Sequence, residues 1–293
     1  VVERKTVGSV TFDVFNVFFL LFLSVICLYP MLYVLFASMS NPTEISQSAG
    51  LLLYPLGFQL NAYYAVFQNS DIWSGYLNTI FYVVFGTSVN MLLTILGAYV
   101  LSRKGFKLRG VFMMYITFTM FVNGGLVPTY LLVKNIGILN TRLAILLPTA
   151  VSAFNLIMTR TYFSTIPDSL EESAKIDGAG HWRILYSIIL PVSTPILAVI
   201  ALYYSVAHWN SWFNAMIYLD DRQMWPLQLI LREILILNDS GKMMQDTVTI
   251  DKLSIAENIK YAVIIVATVP ILFVYPFLQK YFTKGVMLGA IKE

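Results

Sequence analysis

Few residues in this chain could do covalent chemistry. Cys27 is the one cysteine, and His181 and His208 are the two histidines. One thiol gives neither an internal disulfide nor a cysteine zinc site. Two histidines, with no carboxylate near His208 in sequence, supply neither a metal set nor a nucleophilic triad. The nearest approach to a phosphate loop is Gly241-Lys242, but Met243 follows it and the upstream glycine is missing. The residues therefore point to no cofactor, no metal and no catalysis. What remains is recognition chemistry in the run Tyr203, Tyr204, His208, Trp209, Asn210, Trp212, Phe213 and Asn214. Aromatic rings stack on the apolar faces of sugars, and amides or an imidazole bond their hydroxyls. Tyr204, His208 and Trp212 stand at i, i+4 and i+8, and with Trp209 and Asn210 they are the candidate lining of a substrate path. The competing reading is an interfacial aromatic belt with helix packing.

The elements that must position these residues are membrane spans. Of 293 residues, 58% are hydrophobic and 12% charged, where a soluble domain carries about a quarter charged. Mean hydropathy is +0.71. The net charge of +3 leaves no nucleic-acid footprint. Charge-free stretches run over Val14–Thr43, Ile72–Ser102, Gly110–Val133, Leu143–Thr159, Ile184–Leu219 and Tyr261–Gln279. A bilayer core needs about 20 apolar residues as helix, so the expectation is an all-α bundle of six transmembrane helices forming one domain over 1–293. Arg4 and Lys5 precede a first run too long for a signal h-region, which reads as an uncleaved span. Gly86, Gly97, Gly124 and Gly125 favour close helix packing; Gly124-Gly125 with Pro128 is also a place where the third span can break.

Lysine and arginine set the orientation. Arg4, Lys5, Arg103, Lys104, Lys107, Arg109, Arg160, Lys175, Arg183, Lys280, Lys284 and Lys292 fall on one side. Fewer fall on the other, where acidic residues accompany them. Both termini and the loop at 167–191 are expected on the cytoplasmic side of the membrane. No span carries Asp, Glu, Lys or Arg in its core, although ion-driven transporters keep such groups at about 3 kcal/mol or more each. A transporter built this way borrows energy from another subunit; a passive channel satisfies the same pattern, and an ion-coupled sugar carrier is the other rival.

The longest polar interruption on that side is Pro167–Pro191. Asp168 with Glu171 reads as a capping box opening a short helix, Gly178 as its left-handed stop, and Trp182, Leu185, Ile188 and Ile189 as one face of a second helix ended or kinked by Pro191. Glu172-Ser173-Ala174, three residues including Asp177, Gly178, nine residues and Ile188-Ile189-Leu190-Pro191 keep every spacing of the cytoplasmic loop of ABC importer permeases. Ser173 stands where that family has a second alanine. The chain thus resembles a binding-protein-dependent permease of the type I fold. The resemblance implies that Glu172, Ser173, Ala174, Asp177, Gly178, Ile188, Leu190 and Pro191 form a coupling helix that docks on an ATPase dimer, beside a second homologous permease. The blocks Trp209-Asn210-x-x-Phe213, Pro128-Thr129-Tyr130, Ile136–Thr141 and Lys284–Lys292 resemble the oligosaccharide branch of carbohydrate importers, and within it the permeases of alginate importers.

Two outer segments are long. Residues 40–71 read as irregular surface chain. In 220–257, Leu227, Ile230, Leu231, Ile234 and Leu237 share a face, either resting on the membrane or contacting an outside partner. In maltose-type importers a loop from this position enters the external solute-binding protein, which makes Asn238, Ser240, Gly241 and Gln245 the candidate contacts with it.

Overall fold

A computed structural model describes residues 7–48, 50–236 and 258–273, and every regular element among them is helical. The chain divides into two compact units: residues up to Asn69 with Glu233–Val269, and Ser70–Arg232 with the chain from Pro270 onward.

In the first unit α1 (Val7–Ser38) is apolar beyond Asp13 and Asn16 and shows Phe12, Phe15, Phe18 and Phe22 on its outside. A helix hydrophobic all round belongs in lipid. It starts and stops a little earlier than the charge-free stretch suggests. Ser40 Oγ donates to Phe36 O at 2.6 Å and accepts from Leu56 N at 2.9 Å, closing the helix end onto the following loop. Then come α2 (Pro42–Gln47), capped by Asn41 with Pro42 in its first turn, and α3 (Asn61–Gln68). Asn41 N to Leu56 O at 2.7 Å and Gln59 N to Met39 O at 2.9 Å pin the strap between them. The expectation of irregular chain over 40–71 is corrected in part: 42–47 and 61–68 are helical and α4 starts at Ser70, while 50–60 is non-helical. Asn258, which opens the helix Asn258–Phe273, donates to Ser40 O, and Tyr261 meets Tyr33 edge-on at 6.1 Å.

The second unit opens with α4 (Ser70–Phe81), a π-helical turn at Tyr82–Gly86 and α5 (Thr87–Ser102), together one 33-residue apolar helix. The next stretch breaks into α6 (Arg109–Phe121) and α7 (Leu126–Asn135), bent by 116°. Gly125 turns the corner at φ 86°, so this glycine pair breaks the helix rather than packing it. α8 (Leu143–Leu146) and α9 (Ala153–Phe163) flank a non-helical stretch at 147–152 that contains Pro148. α10 (Asp168–Ile176) and α11 (His181–Ile184) form the polar loop. α11 continues through a π-helical turn at Leu185–Ile189 into α12 (Leu190–Val192), which meets α13 (Thr194–Trp209) at 85°. α14 (Phe213–Tyr218), a 3-10 turn at Arg222–Met224 and α15 (Leu227–Ile236) follow, with α15 from Glu233 onward belonging to the first unit. Each of the six apolar stretches contains helix among the described residues, with breaks at 122–125 and 147–152. Among the described residues two run unbroken at membrane-crossing length, and two more do so as bent pairs.

α5, α9 and α13 pack together as the middle of this unit. At one end Ala98, Tyr99, Phe163, Ile166, Ile184, Leu185 and Ile189 form a core that seats the polar loop. At the other, Tyr82, Ile145, Leu146, Ala215, Leu219 and Leu229 form a second. Leu227, Leu229, Ile230, Leu231 and Ile234 are all buried, Leu227 N donates to Thr79 Oγ1 at 2.9 Å, and Ile230 Cδ1 lies against Gly75. That corrects both expectations for this amphipathic run: its apolar face is core, not a membrane-resting or partner-facing surface. Leu237 lies outside the described residues.

Candidate functional site

The polar loop is held by charge. α10 begins at Asp168, with Pro167 at the cap position and no side-chain capping bond. The capping box is therefore corrected, because both carboxylates have stronger partners. Asp168 pairs with Lys104, and that hydrogen bond holds its carboxyl below the ordinary value. Glu171 is buried and pairs with Arg103 and, at 2.9 Å, with Lys175. Burial opposes its ionisation, but the hydrogen bonds from Lys175 and Arg103 outweigh it and hold the carboxyl below its ordinary value. Lys175 is correspondingly raised, chiefly by its bond to Glu171.

The end of α10 is as the sequence predicts. Gly178 has φ 77°, Ala179 N donates to Ala174 O at 2.9 Å and Gly178 N to Lys175 O at 3.0 Å, which is a Schellman stop. Ala174 and Ala179 pack on the core beneath. The second helix differs. Its π-helical turn inserts a residue, so Ile184, Leu185 and Ile189 face the core while Ile188 is half-buried and Trp182 is 63% exposed, stacked on Tyr186. Pro191 sits in α12, just before the 85° corner at Ser193. Of the expected docking residues, Glu172, Ser173, Asp177, Gly178 and Pro191 are exposed, whereas Ala174, Ile188 and Leu190 reach inward. Leu170 and Ile176 add exposed apolar surface, Ile176 at 87%.

A cleft of about 480 Å³ opens where α13 ends, lined by Ser152, Asn155, Tyr203, Asn210, Trp212 and Asn214 among others, with no charged side chain in its wall. Tyr204 and His208 reach its floor but are each only 4% exposed. They belong to a buried clasp. His208 Nε2 meets Asn90 Oδ1 at 2.7 Å, and Asn90 Nδ2 donates to Thr149 O and Ala150 O at 2.6 and 2.9 Å. Tyr204 OH meets Thr94 Oγ1 at 2.7 Å and accepts from Ser152 N at 3.0 Å. The clasp supplies partners for the backbone groups that the break at 147–152 frees, which apolar surroundings require. Trp209 faces elsewhere, edge-on to Tyr76 at 6.4 Å. The helix ends at Trp209, so Trp212 does not continue the stripe of Tyr204 and His208; it carries Arg232 over its ring at 4.7 Å. Asn90 and Thr94, one helical turn apart in a charge-free span, were the sequence signal for this clasp. Asn238, Ser240, Gly241 and Gln245, and the tail Lys284–Lys292, lie outside the described residues.

Fold and site together define a polytopic membrane transport subunit. Residues 90–288 match the family described as binding-protein-dependent transport system inner membrane component. The chain is 42% identical over 281 residues, 96% of its length and 98% of the relative's, to the polygalacturonan/rhamnogalacturonan transport system permease protein YtcP of Bacillus subtilis (strain 168). It is 40% identical over 293 residues to Protein LplC of the same organism, covering 99% of this chain and 97% of that one. A solved structure of a bacterial ABC transporter involved in the import of the acidic polysaccharide alginate contains a chain that superposes with TM-score 0.87 at 32% identity, covering 96% of this chain and 99% of that one. This chain belongs to the family of binding-protein-dependent transport system inner membrane components. It has the type I permease fold and is a membrane-spanning permease subunit of an ABC importer.

Proposed function

We propose that the chain, as one permease domain over 1–293, forms half of a translocation path for acidic oligosaccharides in an ATP-driven importer of the inner membrane. The observation that carries this reading is the near full-length likeness to two transport proteins named for polygalacturonan/rhamnogalacturonan and for alginate, polysaccharides that all contain uronates. A second homologous permease completes the path, and an external solute-binding protein delivers the sugar. An ATPase dimer at the cytoplasmic face hydrolyses ATP and docks on the exposed face of α10, through Glu172, Ser173, Asp177 and Gly178. Arg103 and Lys104 pair with α10, so the most basic loop and the polar loop share one end of the second unit, which supports a cytoplasmic placement of both; the termini are assigned to the same side by their lysines and arginines alone. The cleft beside α13 fits a passing sugar, with Tyr203, Trp212 and Phe213 for its apolar faces and Asn155, Asn210 and Asn214 for its hydroxyls. Its uncharged wall holds a uronate loosely, as a path rather than a store requires. Asn238, Ser240, Gly241 and Gln245 remain the candidate contacts with the binding protein.

The test is uptake by the reconstituted importer in proteoliposomes with its binding protein. Labelled oligogalacturonate is expected to enter in a vanadate-sensitive manner and to outcompete neutral malto-oligosaccharides. Preferential uptake of the neutral sugar, or uptake without ATP, overturns the reading.

A further inference from the structure

One side chain gathers three helices at the base of the second unit. Arg103 closes α5, where Ser102 Oγ accepts from its Nε at 3.0 Å and the Tyr99 ring lies 5.2 Å beneath its guanidinium. Its Nη2 donates to Phe163 O, the last carbonyl of α9, at 3.0 Å. Its Nη1 donates to Glu171 Oε2 on α10. The planar fork of an arginine can hold three acceptors at fixed angles, which a lysine cannot. Glu171 is fixed from its other oxygen by Lys175, and Tyr99 OH lies 3.4 Å from both Nδ1 and the carbonyl of His181 on α11. Every direct ionic tie from α10 to the rest of this unit passes through Arg103 or the exposed Lys104, among the described residues.

The same two helices, α5 and α9, lead away from Arg103 to the clasp of Asn90, Thr94 and Ser152, and so to the wall of the cleft. A displacement of α10 can reach the cleft along the chain through α11, α12 and α13; it reaches the opposite wall, at the clasp, when α5 and α9 follow α10.

We propose that Arg103 is the positioning residue that makes α5 and α9 move with the coupling helix, acting through Glu171 and Phe163 O rather than by touching the ATPase or the sugar. This rests on the importer reading above.

Spin labels at exposed Ser169 on α10 and exposed Leu92 on α5, in the Cys27→Ala importer, report the tie without any substrate. In the parent complex their separation is expected to stay the same between the nucleotide-free and ATP-vanadate states, because the helices travel together. In Arg103→Leu it is expected to differ between the two states, and sugar imported per ATP hydrolysed is expected to fall about ten-fold. Arg103→Lys, which keeps the pair with Glu171 but loses the fork, is expected to fall between. An unchanged separation in Arg103→Leu overturns the proposal. So does failure of both Arg103→Lys and Glu171→Gln to assemble, which marks the pair as a folding contact only. If the parent complex takes up no oligogalacturonate, the substrate reading fails while the label distances still decide this one.

Discussion

α5 is held at two places by opposite chemistry. At its end Arg103 uses full charges on Glu171 and a helix carbonyl. About 20 Å further along the helix, Asn90 and Thr94 use an amide and a hydroxyl on His208, Tyr204 and the broken backbone at 147–152. Near the aqueous face an ion pair can form with water still available to the spare donors. In the apolar region a charge would cost more than its partner returns, and neutral groups satisfy carbonyls without that desolvation. The difference separates a joint built to transmit force from one built to keep an irregular segment in place.

The comparison breaks first at the neutral clasp. Asn90→Leu orphans two buried carbonyls and the His208 partner at about 1–3 kcal/mol each. It is expected to give the largest fall in the unfolding midpoint of the purified complex; a midpoint within a degree of the parent would show that the break does not need the amide. Gly86→Ala is next. A Cβ there would lie 2.5 Å from His208 Nε2, and the ring cannot swing away without leaving Asn90, so about 1–3 kcal/mol of stability is expected to go. Gly97→Ala is its control. Its Cβ would meet only Leu156 Cδ1 at 2.8 Å, the end of a pliable side chain, and the helix-propensity gain of about 1 kcal/mol is expected to leave stability near the parent's.

How far this was legible follows from the same residues. Charge-free stretches placed the helices, because burial in lipid is written in composition. Gly178 announced the α10 stop, because few other residues adopt φ 77°. The break at 147–152 was not legible: its backbone partners are Asn90 and Tyr204, more than fifty residues away. Asp168 and Glu171 looked like a capping box because local spacing cannot show Lys104 and Arg103 arriving from another helix. Leu227–Ile234 showed its apolar face but not what covers it.

The ionic joint gives smaller effects with a pH signature. Glu171 has its carboxyl held below the ordinary value of 4.5. Its contribution is full above that value and is lost as pH falls through the lower folded value. Lys175 is raised above 10.5, so its share is full below that and lost only as pH rises through the higher folded value. Uptake per ATP is expected to be flat across the neutral range. The unfolding midpoint of the parent is expected to drop more steeply than that of Glu171→Gln on acidification below 4.5; parallel curves would assign the acid sensitivity elsewhere. Smallest of all is Lys104→Ala. Its pair with Asp168 is solvent-exposed on both sides, so no measurable change in midpoint is expected, and a large one would make the exposed tie a rival to Arg103.

The π-helical turn at Tyr82–Gly86 sets the angular phase of the long helix. Up to its first residue, Asn78, Thr79 and Tyr82 bond to Gln223 O, Leu227 N and Met224 O. After it, Asn90 and Thr94 face the break and α13. The turn carries one residue more than an α-helical turn would, and each residue is worth about 100° of rotation. Without that residue the rod would be straighter and better hydrogen-bonded, yet its two polar faces would be out of step and only one could find its partners. The irregularity works as a fixed gear offset: one rigid shaft addresses two neighbours that lie at different bearings around it.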